Sequence, residues 1–158
     1  MAPLEAFERV VRLSPGPAKS EAEAAGSLHP FDVRNIYQGF PPKVRKLFDD
    51  GHCAEATFEV LKFLDKKVSA LSGKNESGKT LMNQVFSSTA PVLKLTPMTT
   101  DSQKEEQDGY RFLFAGIMTA IRNPRGHEFN MSDDPDVCLD HLSFASMLIR
   151  RLEESGYR

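Results

Sequence analysis

Arg122-Asn123-Pro124-Arg125-Gly126-His127 places an arginine and a histidine with four residues between them, at the end of a helix-like run and around a proline that must bend it. Cleavage of RNA by its own 2′-hydroxyl needs a group that exchanges protons near neutral pH, and a cation that stabilises charge on the phosphorus oxygens in the transition state. His127 fits the first role. Arg122 fits the second, because its guanidinium is a planar fork of donors that stays charged. The Asn123 amide can orient either the phosphate or the imidazole, and Arg125 can add a second phosphate contact. The same hexad also suits an ordinary capping loop, in which Arg122 and His127 meet the terminal carbonyls of a helix.

Two other patterns invite chemistry and fail on context. Gly73-Lys74-Asn75-Glu76-Ser77-Gly78-Lys79-Thr80 matches the phosphate-loop pattern G-x-x-x-x-G-K-[ST] letter for letter. Such a loop works when a β-strand delivers it to a helix N-terminus within a parallel sheet. Here the preceding segment, Phe58 to Leu71, has helical periodicity and too many charges for a buried parallel strand. A polar loop between helices is expected, with no nucleotide bound. His52-Cys53 with Cys138 and His141 has the wrong spacing for zinc, since adjacent residues diverge on a helix. Buried structural cysteines are the expectation, and neither a metal nor a cofactor is called for.

These residues sit in a chain of 158, with 40% hydrophobic and 27% charged residues, which suits one domain large enough to bury a core. A net charge of -2 argues against a generic basic nucleic-acid binder, so a polyanion would have to be held by a local patch. Lys43, Arg45, Lys46, Lys62, Lys66, Lys67, Arg111 and Arg125 are the candidates for such a basic rim. Two cysteines set no disulfide framework, and Glu5, Glu8 and Arg9 stand where a signal peptide would be apolar. A cytoplasmic protein without a membrane segment is expected.

The elements that must position the hexad read as helices, with almost no strand. Residues 1–12 carry Leu4, Phe7, Val10 and Val11 at helical spacing, and residues 14–30 read as a linker of small residues, glycines and prolines. The expected division is a flexible arm over 1–30 and a helical domain over 31–158. Pro41 and Pro42 open a helix that Gly51 ends. A second helix carries Ala54, Phe58, Leu61, Leu64, Val68 and Leu71 on one stripe, with Glu55, Glu59, Lys62, Asp65 and Lys66 mostly off it, and stops at Gly73. Leu81, Met82, Val85 and Phe86 mark a short third. The fourth runs from about Ser102 to Arg122 and interleaves small residues with Tyr110, Leu113, Phe114, Ile117, Met118 and Ile121. It is expected to end or kink at Asn123, which Pro124 should push out of the α region. Asp134 caps the fifth, with Pro135 first inside.

An all-helical domain of this size, with an arginine, a polar residue after it and a histidine closing the gap, resembles the HEPN superfamily. The finer similarity is to its Ymh-type branch of bacterial and phage-associated proteins. It is carried by Gly51-His52 with Glu55-Ala56, by Leu81-Met82 with Phe86, and by the run Gly116 to Glu128, spanning roughly residues 40–155. The resemblance implies an antiparallel bundle of four to five helices that forms a homodimer with the two Arg/His turns in one cleft. It implies a metal-independent endoribonuclease of a toxin–antitoxin, abortive-infection or phage-defence system, acting on RNA and held by a cognate antitoxin. Arg122, Asn123 and His127 are then the catalytic set, with Arg125 and Glu55 as substrate-binding residues. The alternative implied by other members is a non-catalytic dimeric module that binds RNA or nucleotides or serves as a scaffold, which the acidic charge favours slightly.

Overall fold

The structure, a computed structural model, describes residues 28–128 and 130–158. The amphipathic stretch at 1–12 and most of the 14–30 segment lie outside the described residues. Residues 31–158 form one unit with its own core.

Every regular element among the described residues is helical. After a single turn, α1 (Pro30–Val33), comes α2 (Pro42–Asp49), with Pro42 in the first turn, where its missing N–H costs no hydrogen bond. The 20-residue α3 (Cys53–Ser72) is the hub, packed against α2, α4, the last helix and the Arg/His turn. Its buried face is Cys53, Ala54, Ala56, Thr57, Val60, Leu61, Leu64, Asp65 and Val68, which includes Ala54, Leu61, Leu64 and Val68 of the expected stripe but leaves Phe58 and Leu71 only half-buried and adds Asp65. Gly73 ends α3 in the left-handed region at φ 67°, where a Cβ would be strained.

The short α4 (Gly78–Val85) buries Leu81, Met82 and Val85 against α3 and α5. Between α4 and α5, Leu93 and Leu95 insert into the core, and the buried Gln107 amide pins that segment. It accepts from Leu95 N–H at 2.8 Å and donates to Phe86 O and Leu93 O at 3.3 and 3.1 Å. Without Gln107, two carbonyls and an amide would be buried unpaired, at about 1–3 kcal/mol each.

The helix α5 (Asp101–Gly116) starts where Thr100 Oγ1 accepts from Gln103 N–H. Phe114 of α5 stacks on Phe86 with ring centroids 4.3 Å apart. Past Gly116 the helix changes register rather than stopping. Residues Ile117–Arg122 form a π-helical turn, which runs straight into α6 (Asn123–His127). The last helix, α7 (Pro135–Glu154), has Asp134 accepting from Asp136 N–H at its start, as the sequence indicated. Its stripe Cys138, Leu142, Ala145, Ile149 and Leu152 is buried.

Asn123 corrects the expectation that Pro124 pushes it out of the α region. It sits at φ −63°, ψ −45°, inside the α region, and helical backbone continues to His127. In an α-helix the ring of Pro124 would strike the carbonyl four residues back. The preceding turn is widened instead, with Asn123 N–H donating to Met118 O five positions earlier. A π turn makes room for the proline ring, so the strain is taken up one turn upstream of Asn123.

Candidate functional site at the Arg122–His127 turn

The π turn and α6 lie across α3, and Phe58 of α3 is the surface they rest on. The Arg122 guanidinium carbon lies 5.6 Å from the Phe58 ring centroid, within cation–π range. At Gly126 an added Cβ would stand 2.9 Å from Phe58 Cε2, so glycine is what lets α6 approach the ring this closely. One aromatic side chain thus meets the hexad at both Arg122 and Gly126.

Arg122 is half-buried, and its Nη1 donates to Asn123 Oδ1 at 3.3 Å. The same nitrogen lies near Gly78 at the start of α4. Its Nε is buried and has no hydrogen-bond partner. Asn123 therefore engages the arginine rather than the imidazole. His127, the last residue of α6, is exposed, and among the described residues its side chain has no hydrogen bond or ion pair. Five positions at 100° each set Arg122 and His127 about 140° apart around a helix, so within one chain they do not share a face.

Arg125 is held elsewhere. Its Nε and Nη2 form a two-pronged bond to Asp133, both at 2.6 Å, and Nη1 donates to Ile121 O at 2.8 Å. The two side chains are only 8% and 7% exposed. This pair closes the segment from α6 to the start of α7, and it gives Arg125 a bracing job with little fork left for a ligand. Glu55, in the first turn of α3, is exposed and stands 3.9 Å from His52 Nδ1, apart from Arg122. It lines a cavity of about 390 Å³ that Phe58 and Arg125 also border.

Behind the brace lie His141 and the two thiols. Burial holds the His141 pKa below its ordinary value, and the charge of Arg125 pushes the same way against Asp133 and Asp140. Its Nδ1 is buried without a partner. Burial pushes the Cys53 thiol up and the Cys138 thiol up to about 12, while Thr57 Oγ1 lies 3.5 Å from Cys138 Sγ. Thiols kept protonated in a core are packing residues rather than nucleophiles. Among the described residues no group of three or more His, Cys, Asp or Glu side chains is placed to hold a metal ion.

The basic rim is largely neutralised. Lys43 and Lys62 pair with Glu59, Arg45 with Asp49, Lys46 with Asp50, Arg111 with Asp108 and Arg125 with Asp133. The phosphate-loop match fares no better. A 20-residue helix precedes it, and the Gly78 N–H that would meet a phosphate donates instead to the buried Asp65 Oδ1 at 2.7 Å.

A family model for a protein of unknown function, Hypoth_ymh, matches residues 37–152, which is most of the chain and includes all of this site. The chain belongs to the Hypoth_ymh family. No curated protein and no solved structure matches it significantly. In this Hypoth_ymh protein, sequence reasoning missed Asp133, Phe58 and Asp65 as site supports. Phe58 was legible only as a stripe residue, and Asp133 was overshadowed by its neighbour Asp134, the cap of α7. Asp65 carried a usable signal, since it follows Leu61 by four and precedes Val68 by three.

Proposed function

We propose that this protein is a HEPN-type, metal-independent endoribonuclease, a toxin or phage-defence effector that cleaves RNA through the 2′-hydroxyl. The observation that carries the reading is the contrast within the hexad. Arg125 is consumed by its brace, whereas His127 is exposed and, among the described residues, its side chain has no partner, and Arg122 is held by Asn123 and Phe58 with no carboxylate paired to it among the described residues. A preoriented arginine and a free imidazole are the two groups that in-line phosphoryl chemistry requires.

In this mechanism the 2′-oxygen attacks phosphorus as His127 moves the proton. The charge that develops on the non-bridging oxygens is met by Arg122, the 5′-oxygen leaves and takes a proton, and a 2′,3′-cyclic phosphate forms. Because one chain does not set Arg122 and His127 on one face, the reading includes an antiparallel bundle that pairs with a second copy. Support comes from α5 and the π turn, where Gly109, Phe112, Leu113, Gly116 and Ala120 form an exposed stripe at three/four spacing. An isologous dimer across that stripe brings two turns to one cleft. A cognate antitoxin would act by covering it.

The test is to incubate the purified protein with single-stranded RNA and a 2′-deoxy analogue, with and without EDTA, and to examine the product ends. Cyclic-phosphate ends from RNA alone, unaffected by EDTA, are expected. Cleavage of the deoxy substrate would remove the reading. The ion-paired basic side chains favour a second reading, a non-catalytic dimeric RNA- or nucleotide-binding or scaffold module, in which RNA is bound and recovered intact.

A further inference from the structure

The cavity beside the turn lies between α2, α3 and the segment after α6. It has an apolar wall of Leu47, Ala54, Phe58 and Met131, and a rim of Glu55 and Glu128. Three cations also border it, and all three are taken: Lys43 and Lys62 by Glu59, Arg125 by Asp133. That pairing matters for what can enter. Glu59 is 16% exposed, and its hydrogen bonds to Lys43 and Lys62 hold its pKa below the usual carboxylate value, so it stays charged and committed. Glu55 and Glu128 are exposed, and among the described residues neither has a lysine or arginine partner. A phosphate entering here would meet two carboxylates with no lysine or arginine partner, and two lysines that already share Glu59. A neutral planar group with N–H donors on one edge meets the opposite: an apolar wall for its face and acceptors for its edge.

Of the four RNA bases, only guanine carries two adjacent N–H donors on its Watson–Crick edge, at N1 and N2. Adenine and cytosine place a ring-nitrogen acceptor beside the amino group, and uracil flanks its single N–H with carbonyls. Each of those acceptors would face a carboxylate. The cavity volume of about 390 Å³ is ample for one base. Two links tie this cavity to the turn. Phe58 forms part of its wall and contacts Arg122 and Gly126, and Glu128 directly follows His127.

We propose that this cavity takes a guanine base of single-stranded RNA, with Glu55 and Glu128 reading its N1–H and N2–H edge, and so sets where the Arg122–His127 turn acts. The site of action rests on the ribonuclease reading; the base preference of the cavity does not. Edge readout by a carboxylate of this kind discriminates between bases by about tenfold.

The experiment has two arms on the full-length protein. In the first, ¹³C-methyl NMR follows Met131 while guanosine, adenosine, cytidine or uridine is added, nucleosides being used because they carry no phosphate for Arg122. Guanosine is expected to shift Met131 at about tenfold lower concentration than the others, and Glu55→Gln with Glu128→Gln is expected to remove that preference. Both side chains are exposed, and circular dichroism checks that the variant folds. In the second arm, cut sites are mapped on an RNA containing all four bases, and cuts beside guanine are expected. Cleavage without base preference, together with equal binding of the four nucleosides, overturns the guanine pocket and leaves the ribonuclease reading. Guanosine preference without any cleavage upholds the pocket and removes the ribonuclease.

Discussion

Gly73–Thr80 and Arg122–His127 both look like chemistry as strings of letters, and the fold treats them in opposite ways. The first is a complete phosphate-loop pattern, but it joins two helices, and its Gly78 N–H is already bonded to the Asp65 carboxylate. The second matches a short and common spacing, yet it lies on a π turn, is wedged against Phe58 and is braced by a buried ion pair. A motif is defined by the groups it leaves available, and these depend on what precedes it and what it packs on. The loop has spent its amide on the core. The turn has spent one of its two arginines on its own support and kept two groups, Arg122 and His127, for other work.

That contrast is breakable. The largest stability effect should come from the brace: Arg125→Ala strands Asp133 as a buried, unpaired carboxylate and should cost about 3–5 kcal/mol in urea unfolding. A loss near zero would mean that Arg125 is not held and is available to substrate after all. Next is the loop's own anchor. Asp65→Ala removes the acceptor of the Gly78 N–H and should cost about 1–3 kcal/mol, while leaving any RNA chemistry of the turn in place.

Smaller again is the pH response of His141, half-buried beside the brace. Since the His141 pKa is lowered in the folded protein, its neutral form is the one that folding favours. The stability it supports is whole above the unfolded value of about 6.5 and is lost as pH falls from there through the folded value. The wild type should therefore lose more stability between pH 7.5 and pH 5 than His141→Gln does, read as the difference in urea midpoints. Equal losses would show that folding does not lower the His141 pKa. Smallest is Lys79→Ala, on the exposed start of α4, which should shift stability by no more than about 0.5 kcal/mol. Magnesium-dependent ATP binding that this variant abolishes would restore the phosphate loop.

Much of the helical frame was readable because helix signals are local. Pro42 at the start of α2, Gly73 at the end of α3 and Asp134-Pro135 at the start of α7 act through their own backbone, whatever surrounds them. The end of the fourth helix was misread for the same reason. Local rules say that Pro124 expels Asn123 from the α region, but they do not foresee a register change one turn earlier. The site was half legible. Residue types nominated Arg122, Arg125 and His127 as candidates, but whether an arginine is free or consumed depends on Asp133, eight positions away from Arg125 and reached only after the chain turns. Phe58 shows the same limit. Its spacing marks a packed residue, and only tertiary structure shows that it packs against Arg122 and Gly126.

The most direct test compares the two regions on one substrate. Wild type, His127→Ala and Lys79→Ala are incubated with the same single-stranded RNA, and initial rates are read with circular dichroism as the control for folding. Loss of a general acid/base costs about 10²–10⁴ in rate, so His127→Ala should fall by at least a hundredfold while Lys79→Ala keeps the wild-type rate. Full activity in His127→Ala, or loss in Lys79→Ala with the helices intact, would contradict the assignment of the chemistry to the turn.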